Sequence, residues 1–376
     1  METHGGRRLT HTQVHTLQVD DDRKGPTMSH RIPPSPSRRN LLHGALAIPL
    51  GAAGLPLAAC ANNSDGAAAD PDAPLNVGQI SNSIAFFPLH VAESKGFFEE
   101  EGVTLGERPR LGTGAKLAAA LTSGSIDIGA GVLTDAFNMA GVDDGTVITT
   151  SLVTEYYVDI VVAEGFDGPA ADAPLEEKIE SLVGRTIGIT GPGSGTEALL
   201  TYLFGIIGKD PKTDSTMVNL GGAVTAAVGA LSGGDVEVLS FFQPVGQQIE
   251  TEGLGSIYIS PARGDVPDMA GQLHGVVFAS GDAVQAKRTQ IDAFNAAIGS
   301  ALTFIAEARD ELKPLLQEYL ENTAEETVDQ LLEILPAQTP DAPAPTQESY
   351  DIGAAFHVAS GLVDEAPDFA DFVLGN

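Results

Sequence analysis

From residue 75 onward, short apolar runs of strand length alternate with stretches of helical spacing. Residues 75–80 form a strand candidate, followed by the polar loop Ser81-Asn82-Ser83. Residues 88–98 have helical spacing that stops near Gly102, and 103–105 reads as the next strand. Gly112-Thr113-Gly114 then opens a helix over 115–122 that Gly124 closes, before a strand over 126–128. This is βαβαβ, the order that gives a parallel sheet covered by helices. A helix over 135–140, the turn Asp143-Asp144-Gly145 and a β-rich run over 147–163 complete the first half.

The second half repeats the first. A strand over 187–190, a loop over 191–195, a helix over 196–207, a strand over 216–220, a helix over 223–231 and a strand over 236–238 follow in order. Gly78 matches Gly188, Leu121 matches Leu231, Gly124 matches Gly234, and Ile126-Asp127-Ile128 matches Val236-Glu237-Val238, each 110 positions apart. A shared register predicts two lobes of one plan. Linking strands near 159–164 and 274–279 would pass between them, giving lobe 1 as 75–163 with 275–376 and lobe 2 as 164–274. Four helical stretches, 282–308, 314–319, 324–335 and 347–360, are expected to pack back on lobe 1. Such lobes set strand C-termini and helix N-termini around a shared cleft, here the loops 81–87, 112–114, 134–135, 190–196 and 241–244.

Charge is unevenly spread. The 376 residues carry a formal charge of −31, and after residue 59 only 13 Lys+Arg stand against 47 Asp+Glu. That balance argues against nucleic acid or any other partner held through its phosphates. In residues 1–59, Ser37-Arg38-Arg39-Asn40-Leu41-Leu42 precedes a weakly apolar stretch over 45–57 that ends Leu57-Ala58-Ala59-Cys60. Basic, apolar and small residues in that order have the three-part layout of an export signal. The arginine pair resembles a twin-arginine signal, and Leu-Ala-Ala-Cys resembles the bacterial lipobox, in which Cys60 is lipidated and becomes the mature N-terminus. Met28 stands about ten residues before the pair, and translation is expected to begin there, leaving 1–27 outside the protein. Residues 60–74, rich in Ala, Asp, Asn and Pro, read as a flexible tether, so the folded part is expected on the outer face of the cell membrane. Cys60 is the single Cys, which excludes an internal disulfide or a Cys-rich metal site, and no cofactor or metal is expected.

The run Phe86-Phe87-Pro88-Leu89-His90-Val91-Ala92-Glu93-Ser94-Lys95-Gly96-Phe97-Phe98-Glu99-Glu100-Glu101-Gly102-Val103 carries a family resemblance, supported by residues 119–129, 182–189 and 345–349. Residues 75–376 resemble the substrate-binding proteins of ABC importers in the nitrate/sulfonate/taurine and thiamine-pyrimidine-precursor group. The resemblance implies an α/β fold of the type II periplasmic-binding-protein kind, with two lobes, each a sheet flanked by helices, and a cleft between them. It implies capture of a small solute, sulfonate/nitrate/taurine-like or pyrimidine-like, closure of the lobes, and delivery to a membrane permease driven by a cytoplasmic ATPase. A monomer is expected. The rivals are an enzyme on the same scaffold and a solute-sensing ectodomain. Such an enzyme would need a Cys- or His-centred site, whereas Cys60 belongs to the lipid and His90, His274 and His357 read as structural. No catalytic residue is assigned, and there is no Walker or Gly-x-Ser-x-Gly sequence.

The cleft loops supply the candidate ligand contacts: Ser81, Asn82, Ser83, Phe86, Phe87, Thr113, Gly114, Thr134, Asp135, Tyr156, Gly193, Ser194, Gly195, Thr196, Phe242 and Gln243. Two chemistries fit. The loop 191–196 opens a predicted helix whose free N–H groups and dipole suit an oxyanion, or it is an ordinary loop with Thr196 as N-cap. Lys116 is the only basic residue near these loops. Against an anion stand Asp135, Glu155, Asp159 and Glu197, with Tyr156, Tyr157, Phe86, Phe87, Phe241 and Phe242 as walls, which suit a cation or a polar heteroaromatic ring. Each of these also has a structural reading, as helix cap or core. Phe241-Phe242-Gln243-Pro244 resembles a family segment written aromatic-acid-Pro, with Gln243 in place of the acid.

Overall fold

The computed structural model describes residues 73–375. The expected leader, the arginine pair, Cys60 and the tether up to residue 72 lie outside the described residues. The last two tether positions are pinned: the Ala73 carbonyl accepts from Gln290 and the Pro74 carbonyl from Lys287 Nζ at 2.9 Å.

Nine strands form among the described residues: β1 (Val77–Gln79), β2 (Ile128–Val132), β3 (Val147–Val153), β4 (Val158–Ala163), β5 (Thr186–Ile189), β6 (Thr216–Asn219), β7 (Val238–Phe242), β8 (Gly255–Ile259) and β9 (Gly275–Ala279). They make two sheets, β1-β2-β9-β3 and β6-β5-β7-β4-β8. The central strands β2 and β7 are buried along their whole length, as strands with neighbours on both sides and helices on their faces must be. The architecture is the expected α/β one, two sheets flanked by helices.

The repeat holds at atomic detail. β1 pairs with β2 in the parallel register Val77↔Ile128, and β5 with β7 in the register Ile187↔Val238, the same pairing shifted by 110 positions. The helices Gly114–Thr122 and Val224–Ser232 keep the same offset. So does a hydrogen-bond motif at the foot of each sheet. Asp127 accepts the Asn76 backbone N–H at 2.7 Å and Lys287 Nζ at 2.8 Å; Glu237 accepts the Thr186 N–H at 3.2 Å and Arg185 at 2.9 Å. Helix, glycine and strand recur in unrelated α/β units, but a carboxylate tying down the backbone N–H at the start of the first strand, at matched positions 76 and 186, marks one plan used twice. These bonds also explain why β2 and β7 begin at 128 and 238, later than the sequence pattern suggests: Asp127 and Glu237 are turned to cap a neighbour.

Each lobe borrows its antiparallel strand from the other half of the chain: β9 lies against β2, and β4 against β7. The sequence boundary at 163 is therefore corrected. Val158–Ala163 is an apolar strand whose neighbours are β7 and β8, so the first crossing falls at 154–157 and lobe 2 begins at Val158. The expected strand over 103–105 is reduced to an extended segment with isolated bridges Leu75↔Leu105 and Gln79↔Arg110, at the sheet edge that β6 occupies in lobe 2.

The C-terminal helices do more than cover lobe 1. Gly281–Glu307 packs there through Phe98 stacked on Phe294 at 5.2 Å, and Arg309–Tyr319 through Tyr319 against Phe87 at 5.7 Å. Glu325–Gln338, however, packs on the lobe 2 helix Val245–Thr251, and Gln347–Ala359 reaches Gly195–Ile206 through Phe356 and Tyr202 at 5.2 Å. The block braces both lobes. No helix among the described residues is long and apolar enough to cross a membrane.

Candidate functional site

A cavity of about 650 Å³ lies where the C-terminal ends of β1, β2, β5, β6 and β7 and the two crossings converge. The lobes contribute to it in pairs. Ile80 and Thr190, Ser81 and Gly191, Gly112 and Gly222, and Val132 and Phe242 all line it, each pair 110 positions apart. Matched strand ends from the two halves of the repeat thus meet at one cavity. The lobes also touch at its mouth: Asn138 Nδ2 donates to the Gly193 carbonyl at 3.1 Å.

Of the residues expected at the cleft, Ser81, Thr113, Gly114, Asp135, Gly193, Ser194, Gly195, Thr196 and Phe242 line the cavity. The others stand behind it or away from it. Phe86 and Phe87 are fully buried core, because the 3-10 turn Ile84–Phe86 and the helix Phe87–Ser94 turn both rings inward. Asn82 accepts a hydrogen bond from Arg110, and Ser83 donates to the Tyr157 hydroxyl at 3.3 Å. Thr134 bonds His357 Nε2 at 2.7 Å, and Tyr156 donates its hydroxyl to the Gly195 carbonyl. Gln243 is buried between Asp159 and Gln338. Glu155, Asp159, Glu197, Phe241 and Lys116 do not line the cavity. The N-cap of Gly195–Ile206 is Ser194, not Thr196; the Thr196 hydroxyl instead accepts the Thr190 N–H at 3.0 Å.

His274 is the residue that sequence reading misplaced. It lies on the second crossing and lines the cavity, fully buried, with its ring centroid 4.1 Å from that of Tyr156 and 4.7 Å from that of Tyr157. Neither ring nitrogen has a hydrogen-bond partner among the described residues. Burial, with His357 adding, holds its pKa well below the ordinary 6.5, so the ring is neutral at physiological pH and offers one donor and one acceptor. His357, by contrast, is structural as expected: both nitrogens are bonded, to Gly353 and Thr134, and burial lowers it to about 4. The signal for His274 was its place beside a linking strand rather than its local pattern.

Asp135 sits in the first turn of Leu133–Ala140, where Oδ2 accepts the Val132 N–H at 3.0 Å. Burial raises its pKa to about 6 against that bond. Tyr157, which bonds Ser83 behind the wall, is also raised by burial and keeps its proton. No Lys or Arg lines the cavity, and no group of His, Cys, Asp and Glu set to hold a metal occurs among the described residues.

Residues 68–317 match the model of the NMT1-like family. The Bacillus subtilis (strain 168) protein YtlA, named as a candidate binding protein, is 28% identical over 200 residues. That match takes in 51% of this chain and 56% of YtlA, so the chain spans about half the length of that relative. Among solved structures, a Bordetella bronchiseptica RB50 protein superposes with a TM-score of 0.68 at 22% identity, covering 81% of this chain and 95% of its own. The alkanesulfonate-binding protein SsuA from Xanthomonas axonopodis pv. citri, solved bound to MOPS, superposes with a TM-score of 0.63 at 17% identity, covering 79% and 95%. At these identities the likeness is one of fold, that of periplasmic binding proteins. The family match takes in more than half of the sequence, and the chain belongs to the NMT1-like family.

Proposed function

We propose that this protein is the extracytoplasmic solute receptor of an ABC importer, tethered to the membrane through lipidated Cys60, which captures a small solute between its lobes and presents it to a permease driven by a cytoplasmic ATPase. The observation that carries this reading is the cavity itself, shared by two lobes in matched pairs and bridged by the hydrogen bond from Asn138 to Gly193. A solute touching both lobes favours the closed form by its differential affinity for that form, which is how a receptor reports occupancy. The titratable groups on the wall support binding over chemistry. Asp135 bonds Val132, Tyr157 bonds Ser83 and His274 bonds nothing, so none is wired to another as a nucleophile and base would be. The names of solved relatives point to sulfonate or nitrate as solutes, and the family resemblance of the sequence adds pyrimidine precursors.

The test is binding-linked stability. A solute at about 100 times its Kd adds roughly 2.7 kcal/mol to the folded state, a shift that thermal denaturation reads directly. A melting temperature unmoved by nitrate, alkanesulfonates, taurine, pyrimidines and amines would contradict the reading. For the transport half, deleting the gene should abolish uptake of the stabilising solute by intact cells that still hold the permease.

A further inference from the structure

The electrostatics of the cavity narrow its solute. Both helix N-termini that face it, the sites an oxyanion would use, already have a carboxylate beside them. Asp135 lies against Gly114 at the start of Gly114–Thr122, so closely that a Cβ on that glycine would overlap Oδ1. Glu197, buried in the first turn of Gly195–Ile206, accepts the Gly193 N–H and pairs outward with Lys212 at 3.4 Å. An entering oxyanion would meet the Asp135 carboxylate at the first N–H cluster, with no Lys or Arg among the described residues that line the cavity to offset it, and would find the Gly193 N–H of the second already taken by Glu197.

A hydrogen-bond donor meets the opposite. Asp135 Oδ2 takes the Val132 N–H, while Oδ1 has no donor among the described residues. His274 adds a fully buried ring on the same wall with both nitrogens unpaired. Left so, the buried ring nitrogens of His274 are unfavourable, and a ligand that bonds them removes the penalty, while Asp135 Oδ1 is a free acceptor on the same wall. Tyr157 and Phe242 offer aromatic surface beside them for a planar group.

We infer that the cavity takes an uncharged or singly cationic solute that donates an N–H to Asp135 and bonds the ring of His274, and that it turns oxyanions away. This assignment rests on the receptor reading above and narrows its solute class. Calorimetric titration of the purified protein with nitrate and ethanesulfonate, and with cytosine, nicotinamide and benzamidine, tests it. At least one N–H compound is expected to bind and neither oxyanion, with affinity falling at least tenfold in Asp135→Asn and in His274→Phe while each variant keeps the wild-type circular dichroism spectrum. Binding of nitrate or ethanesulfonate overturns the inference and leaves the receptor standing. Equal binding of an N–H compound by wild type and Asp135→Asn overturns the role given to that carboxylate. If none of the five binds, the receptor reading falls, and the inference with it.

Discussion

Gly112 and Gly222, equivalent positions of the repeat, meet across the mouth of the cavity: a Cβ on Gly222 would stand 2.6 Å from the Gly112 carbonyl oxygen. A side chain at Gly222 would hold the two surfaces apart, whereas Gly112 is called for by its own backbone, which lies in the left-handed region at φ +85°. Gly222 lies outside the left-handed region and is half-buried in a loop, so a side chain there is tolerated by its own backbone. Gly222→Leu is therefore expected to keep the fold while weakening solute binding at least tenfold, because closure is penalised and the protein itself is not. Calorimetry and far-ultraviolet circular dichroism on the same sample check this. Binding at wild-type strength would remove the mouth contact from the account.

The paired carboxylates at the feet of the sheets predict graded losses. Asp127 is mostly shielded, with 18% of its side chain exposed, whereas Glu237 is 46% exposed. Asp127→Ala leaves the Asn76 N–H and Lys287 without their acceptor and should lose about 1–3 kcal/mol; Glu237→Ala should lose less. The two tie down different sheets and share no partner, so the double variant should lose about the sum. Urea unfolding measures all three, and a larger loss at Glu237 would contradict the shielding argument.

Asp159 predicts a pH effect of definite sign. It is fully buried, Oδ1 has no partner among the described residues, and Gln243 donates to Oδ2 at 3.4 Å. Burial drives its pKa from 3.8 to about 7, against the charge of Arg263 and the hydrogen bond from Gln243. The folded state keeps a proton that the unfolded chain has released, so the contribution of Asp159 to stability is full below about pH 4 and is lost as pH rises through about 7. Asp159→Asn removes that loss. Relative to wild type, the variant should gain stability between pH 4 and pH 8, on the order of 3–4 kcal/mol at the upper end. Urea midpoints at the two pH values read it, and a difference that does not change with pH would contradict it.

The anchor makes a prediction of place. Wild-type protein is expected in the membrane fraction and Cys60→Ala in the soluble extracytoplasmic fraction, as immunoblots of fractionated cells would register. A variant that stays fully membrane-bound after export would refute lipidation at Cys60.

Much of the fold was legible because its signals are local and repeated. Strand, glycine-closed helix and strand recur at a fixed offset, and loops at strand C-termini could be placed at a cleft from order alone. What was not legible depends on which way a residue faces. Tyr156 and Tyr157 are adjacent on an extended crossing, so one points forward and one back; alternation states the difference without the sign. Tyr157 lines the cavity and Tyr156 bonds the Gly195 carbonyl from behind. Phe86 and Phe87 stand at the junction of two helical types, where no period assigns a face. The membership of β4 and the bracing of both lobes by the C-terminal helices are long-range pairings, and no local pattern specifies a distant partner.

The central claim is that one small solute is held between the lobes. The most direct measurement is to incubate the purified protein with a metabolite extract, isolate it by gel filtration, denature it and weigh the released solute by mass spectrometry, for wild type and Gly222→Leu in parallel. The account predicts one solute per chain from wild type and little or none from the variant. No solute from wild type, or full occupancy in Gly222→Leu, would contradict it.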